Sequence, residues 1–278
     1  MLKRTLIIFV LFPFFLGAQK ITECGNKMSS DDLQRHYAMA QSAAALLPHD
    51  TCLHRELSVV FHIVLDSTNQ PGIALSDLDV CINLLNSKWK PICIAFKKCS
   101  LNYIPNYNYN QWTDVPDEST CFPNYCTDKT INIFLVENII KGGGIPNPAG
   151  YAGKMTASGH NIIVMRKDAF TSTTAIHEMG HFFGLPHTFE GGNELVRRTA
   201  CYTTGDAFCD TEADPWSSGN VQGAHCDFQP GPKDANNDYY TPPLDNYMTY
   251  FKPCRCRFTQ EQYNFMVYTF LTSGTQLH

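Results

Sequence analysis

The chain is short of positive charge: 21 Lys and Arg stand against 26 Asp and Glu in 278 residues, a formal net charge of −5. A surface of that sign repels a phosphate backbone, so nucleic acid is not expected as a partner. Long apolar runs are scarce as well. The stretch Leu6 to Leu16 is interrupted by Pro13 and falls short of the roughly 20 residues that cross a hydrocarbon core, so no membrane anchor is expected. Phosphate-cradling glycine patterns are missing too. Gly142, Gly143 and Gly144 match neither the G-x-G-x-x-G nor the P-loop spacing, and they read as a bend.

What is there points outward from the cell. Lys3 and Arg4 precede the apolar stretch, and Gly17 and Ala18 supply small residues before Gln19. That order is a secretory signal peptide over residues 1–18, and it implies a secreted, extracellular product. Twelve Cys suit an oxidising destination, and an even count permits complete pairing. Disulfides are therefore expected to staple a domain that already has a core, above all in the last third with Cys201, Cys209, Cys226, Cys254 and Cys256. Spacing alone leaves the connectivity open.

The coarse organisation alternates strands with helices, a mixed α/β arrangement. A polar, Ala-rich helix spans Asp31 to Leu47, ends at Pro48 and reads as an appendage. Leu57 to Leu65, Ile92 to Phe96, Ile131 to Val136, Gly150 to Ala152 and Asn161 to Met165 are strand candidates. Ser76 to Trp89 carries apolar residues at helical spacing, and NYIPNYNYNQW between two of the strands reads as a loop. A helix capped near Thr171 runs toward Gly184. Beyond it Pro, Gly and Asp accumulate until Thr259 and Gln262, whose spacing is that of a capping box ahead of a last packed helix.

The helix near Thr171 carries His177, Glu178, His181, Gly184 and His187 in the pattern HExxHxxGxxH. Residues four apart on a helix are about 6 Å along the axis and about 40° around it, so His177 and His181 can address one cation. Gly184 can take the left-handed conformation that turns the chain back and brings in His187. Three neutral imidazoles leave one tetrahedral position of Zn²⁺ open to water, the arrangement of a catalytic site. Glu178 beside that position is the candidate general base, and hydrolysis of peptide bonds follows. Five fixed positions at about one in twenty each make a chance match rare.

The longer motif, with Met248 in DNYMTY and Tyr250 two residues on, resembles the metzincin zinc endopeptidases. Within them the chain is similar to the pappalysin family, which includes ulilysin-like bacterial enzymes (cytophagalysins). The residues that carry the likeness are VVFHIV, GYA at Gly150 to Ala152, HEMGHFFGLPHTFEGG, GDAFCDTEADP, NYMTY and CRCRFTQEQ, and it spans about residues 56 to 272. The resemblance implies a twisted, mostly parallel five-stranded sheet over a zinc-binding helix, with an irregular, disulfide-stapled C-terminal subdomain. It implies Met248 as an apolar floor (the Met-turn) under the metal and Tyr250 as a hydrogen-bond donor to the tetrahedral intermediate. Protein or peptide substrates are then expected along the sheet edge near Gly150–Ala152, bound by a monomer. Relatives that favour Arg after the scissile bond carry an acid between the Met-turn and the next Cys. Thr249 to Pro253 holds Lys252 and no acid, so that preference is not carried over.

Relatives in the same family hold Ca²⁺, for which Asp206 and Asp210 are the candidate ligands in a loop that also holds Glu212 and Asp214; the spacing is not an EF-hand, and a solvated acidic loop is the other reading. An exported protease also needs restraint before release, which suggests latency. Residues 19–55 form a candidate propeptide in which Cys24, followed by Gly25, is similar to a cysteine switch that occupies the open zinc position. A Cys24 to Cys52 disulfide is the other reading. A cut at Arg55 would leave a catalytic domain over 56–278, divided into an upper part, 56–184, and a lower part, 185–278. A competing function is an exported binding protein that keeps zinc as a structural staple without turnover. Glu178 separates the two, because a staple needs no carboxylate beside an open coordination site.

Overall fold

The computed structural model describes residues 24–46, 51–141, 145–157, 160–192, 194–215, 226 and 231–278. The expected signal peptide and the glycine triplet lie outside them. The helices are α1 (Ser30–Leu46), α2 (Ser76–Trp89), α3 (Asp114–Tyr125), α4 (Thr173–Phe182) and α5 (Gln260–Thr269). The strands are β1 (Arg55–Val64), β2 (Ile94–Ile104), β3 (Gln111–Thr113), β4 (Ile131–Val136), β5 (Asn138–Lys141), β6 (Ile145–Pro146), β7 (Gly150–Ala152) and β8 (Ile162–Arg166).

Five strands form one sheet in the order β2-β1-β4-β8-β7, parallel throughout except for β7, which pairs antiparallel to β8 and closes the edge. The expected mostly parallel five-stranded sheet is thus present. Its central strands are apolar at successive positions because both faces are covered. On β4, Ile131, Ile133 and Leu135 face the larger core with α2 and α4, while Phe134 and Val136 face a second core with Trp112 and Phe122. A small sheet, β3-β5-β6, stands beside the second core.

Two stretches differ from the sequence-based expectation. The loop NYIPNYNYNQW is in part the end of β2, which pairs with β1 from Ile94 to Ile104, then a 3-10 turn over Tyr107–Asn110 and β3. An outer strand with one exposed face lacks the apolar run that marks β1 and β4. Helix α1 is not an appendage either. His36, Tyr37, Ala40 and Ala43 form a buried stripe at helical spacing, and α1 packs on α5. Small alanines make that stripe narrow, so its apolar face is weak in the sequence.

Below α4 the chain is irregular, with 3-10 turns at Cys201–Thr203 and Lys252–Cys254 before the capping box of Thr259 and Gln262 opens α5. Disulfides join Cys52 to Cys93, Cys201 to Cys209 and Cys226 to Cys254. Fewer cysteines pair than the export signal suggested. Cys81 and Cys121 are buried thiols whose ionisation burial pushes up to about 12, as expected of inert core residues. The Cys24 to Cys52 pairing is overturned, because Cys52 is bound to Cys93.

Candidate metal centre

Helix α4 starts at Ser172, whose hydroxyl accepts from the Thr174 amide, one residue beyond the cap read from the sequence. His177 and His181 are buried on the side of α4 that faces the lower half. The helix then stops at a glycine. Gly184 has φ +90°, its amide donates to the His181 carbonyl at 2.8 Å, and the Leu185 amide donates to Gly180 at 3.0 Å. A Cβ at Gly184 would also lie 3.0 Å from the Phe265 ring. This turn returns the chain so that His187 faces the first two histidines.

The three rings converge. His181 Nε2 lies 3.2 Å from His177 Nε2 and 3.1 Å from His187 Nε2. Each opposite nitrogen has an acceptor: Nδ1 of His177 meets the Tyr247 carbonyl at 2.6 Å, Nδ1 of His181 meets the Leu185 carbonyl at 2.7 Å, and Nδ1 of His187 meets the Glu190 carboxylate at 3.1 Å. Those contacts place the protons on Nδ1 and aim three Nε2 lone pairs at one point. Protonation of Nε2 is no remedy. Burial pushes His177 and His181 well below the usual histidine range and holds His187 down to about 3, with the Arg255 cation adding to the effect at His177 and His187. Neutral lone pairs at such distances repel, and a shared cation removes the repulsion, so the donor set fits Zn²⁺.

Around this point stand the other predicted residues. Glu178 is fully buried, and its Oε2 accepts from the Cys24 thiol at 3.5 Å. Gly150 on β7 makes room for it, since a Cβ there would come within 2.9 Å of Glu178 Cγ. Met248 lies beneath α4 and is fully buried; a Cβ on Gly180 would meet its sulfur at 2.6 Å. Its turn is held by the Asn246 side chain, which accepts from the Met248 amide and donates to Gln262. The Tyr250 ring packs on His187 and Phe189, and its hydroxyl donates to the Cys24 carbonyl at 3.2 Å. Burial raises the Tyr250 ionisation far above its ordinary value, so the hydroxyl stays a donor.

Cys24 completes the group. Its sulfur and one nitrogen each of His177, His181 and His187 all lie within 4.8 Å of one another. The segment that presents it runs along the sheet edge: Cys24 bridges Gly150 in parallel, the Gly25 amide donates to the Gly150 carbonyl at 2.9 Å, and the Ala152 amide donates to Asn26 Oδ1. Beside His181 and His187 a cavity of about 140 Å³ opens between this segment and residues Ala152, Lys154, Leu185 and Glu190.

Asp206 and Asp210 do not join the histidines. Among the described residues the only other group of three ligand side chains within 4.8 Å is Cys52, His54 and Cys93, where both sulfurs belong to a disulfide. Asp206 is buried, with one oxygen accepting from the Phe208 amide, and burial next to Glu194 pushes its ionisation well up. Glu194, raised to about 7 chiefly by burial, was missed from the sequence, as were Glu190 and Arg255. None of the three has a spacing that sets it apart from a surface charge.

Comparison with known proteins places this geometry in a lineage. A profile of the pregnancy-associated plasma protein-A peptidase family matches residues 123–271. An extracellular metalloprotease of Pyricularia oryzae is 26% identical over 272 residues, covering 86% of this chain and 87% of that protein. One from Colletotrichum graminicola is 26% identical over 219 residues, covering 74% and 73%. Among solved structures, a mutant of promirolysin from Tannerella forsythia superposes with TM-score 0.65 at 17% identity, over 91% of this chain and 95% of that one. Mature mirolysin from the same organism, in complex with a cleaved peptide, gives 0.56 at 18% identity, over 79% and 91%.

Proposed function

The chain belongs to the pregnancy-associated plasma protein-A family of peptidases, a group of metzincin-type metalloproteases, and from that premise we propose that it is a secreted, zinc-dependent endopeptidase made as a latent precursor. The observation that supports this most directly is the three buried imidazoles whose Nε2 atoms meet around one point with Glu178 beside them. The relatives are named extracellular metalloproteases, and among the described residues no helix is long and apolar enough to cross a membrane.

His177, His181 and His187 would hold the metal, with their Nδ1 acceptors fixing ring orientation. When bound, Zn²⁺ supplies a Lewis acid that acidifies water and polarises a peptide carbonyl. The peptide backbone pairs with β7, the edge strand, where one ladder of amides and carbonyls recognises main chain rather than sequence. Glu178 takes the proton of the attacking water and passes it to the leaving nitrogen. Tyr250 donates its hydroxyl to the oxygen on which charge develops. Met248 keeps the floor apolar and dry. The cleaved peptide seen with mature mirolysin fits this class of ligand.

In the precursor, Cys24 would serve as the switch: its sulfur shares the histidine site, and its carbonyl engages Tyr250. Asp206, with Asp210 and Glu194 nearby in the same loop region, is the proposed Ca²⁺ site. Each offers a buried carboxylate oxygen without a hydrogen-bond partner, which a hard cation would satisfy.

The test is Glu178→Ala in the processed enzyme. Cleavage of casein is expected to fall at least about 10³-fold, given what a positioned base and its charge contribute, while zinc content measured by atomic absorption stays at one ion per chain. Retained proteolysis in that variant would remove Glu178 from its role, and a zinc-replete wild type without proteolysis would favour the binding-protein reading.

A further inference from the structure

Glu190 touches two things at once. Its Oε2 meets His187 Nδ1 at 3.1 Å, and its Oε1 accepts the backbone N–H of Met28 at 3.2 Å. It also lines the cavity between the Cys24 segment and the Ala152 end of β7. A carboxylate is suited to this position because it carries two acceptor oxygens and no donor. A carboxamide in its place could satisfy the ring or the backbone amide, but not both. Met28 stands four residues from Cys24, and Ala152 two residues from Gly150, so Glu190 lies on the Ala152 side of the metal point.

We propose that Glu190 is a positioning and substrate-reading residue, one oxygen fixing His187 and the other accepting the main-chain amide of whichever chain occupies the Ala152 side of the cleft. In the precursor that amide is Met28. In the active enzyme it is one N–H of the substrate, on the side of the scissile bond that lies over Ala152. Latency and substrate binding thus compete for the same acceptor, and the metal ligand is oriented throughout. This rests on the endopeptidase reading given above.

The two oxygens give two readouts. In the full-length precursor, Glu190→Gln is expected to release zinc to a chelator about 10- to 100-fold faster than wild type, the range seen when a partner behind a metal ligand is altered. In the processed enzyme, a peptide substrate is methylated at each backbone nitrogen in turn. Wild type is expected to show one position whose methylation raises KM with kcat little changed, and in Glu190→Gln that penalty shrinks at that position alone. A measurement that leaves Glu190 intact is Met28→Pro, which deletes the amide. It is expected to make the precursor leaky, whereas Met28→Ala keeps the amide and the latency. Zinc release and methylation profiles identical in wild type and Glu190→Gln, or equal latency in the two Met28 variants, would overturn the proposal. Failure of wild type to cleave the unmethylated peptide would instead strike at the endopeptidase reading itself.

Discussion

At the scale of single residues, the site depends as much on side chains that are absent as on those that react. Gly150 is the clearest case. Its missing Cβ leaves the space that Glu178 fills: a Cβ there would lie 2.9 Å from Glu178 Cγ, so Gly150→Ala must displace either the carboxylate or β7. A misplacement near 1 Å of a reacting group costs about 10²-fold in rate. The variant is expected to bind zinc normally and lose about that much kcat in a peptide assay. The sequence marked Gly150 as a sheet-edge residue but not as packing space, because only the fold brings it against a residue of α4. Glu194 supplies a second test at this scale. Its ionisation is raised from the ordinary carboxylate range to about 7, so the fold favours its protonated form. That contribution is complete below about pH 4.5 and is lost as pH rises through about 7. In chelator-treated protein, Glu194→Gln is therefore expected to raise Tm at pH 8 and to leave it nearly unchanged at pH 4. With Ca²⁺ present, the same substitution should lower Tm at pH 8, because the wild-type carboxylate then has a cation. Thermal scans that show no calcium dependence would remove Glu194 from the ion site.

At the scale of elements, legibility follows local periodicity. Helix α4, its glycine stop and the strands β1, β4 and β8 were readable because burial on one stripe or on both faces leaves a pattern in the residues themselves. The zinc motif was legible for the same reason: two of its histidines share a turn, and the third follows a glycine with φ +90°. What could not be read was decided between elements. Helix α3 holds Pro123 inside it, which in sequence argues against a helix, yet Cys121 and Phe122 pack it onto the second core. Helix α1 shows a weak apolar face, but His36 Nε2 donates to the Asp206 carbonyl at 2.8 Å and its ring sits between Phe208 and Phe265. Burial pushes that histidine down to about 4, so the neutral ring is the docked form. The His36–Asp206 contact joins residues 170 positions apart, and the ring contacts span more, so no window of sequence contains both partners.

At the scale of the whole molecule, one N-terminal segment connects the features on which the proposed latency rests. It pairs with the sheet edge at Gly150, presents Cys24 to the histidines, engages Glu190 through Met28, and docks α1 on the lower half. Its far end is covalently fixed, because Cys52 is bound to Cys93 at the head of β2. The Leu53 amide donates to Ile92, and the Arg55 amide donates to Cys93, so the chain is already part of the sheet before the boundary at residue 55 drawn from the sequence. A cut at Arg55 would therefore leave the proposed propeptide attached through sulfur. A tethered segment acts at an effective concentration in the millimolar range, enough to reoccupy the cleft after each dissociation. The expected outcome for a precursor nicked at Arg55 is a single species on a non-reducing gel, two on a reducing gel, and little gain in peptide hydrolysis. Precursor cut on the N-terminal side of Cys52 is expected to shed the segment on gel filtration and gain full activity without reductant. Full activity in the Arg55-nicked, unreduced form would show that the disulfide does not restrain the segment and that docking of Cys24 depends on an unbroken chain.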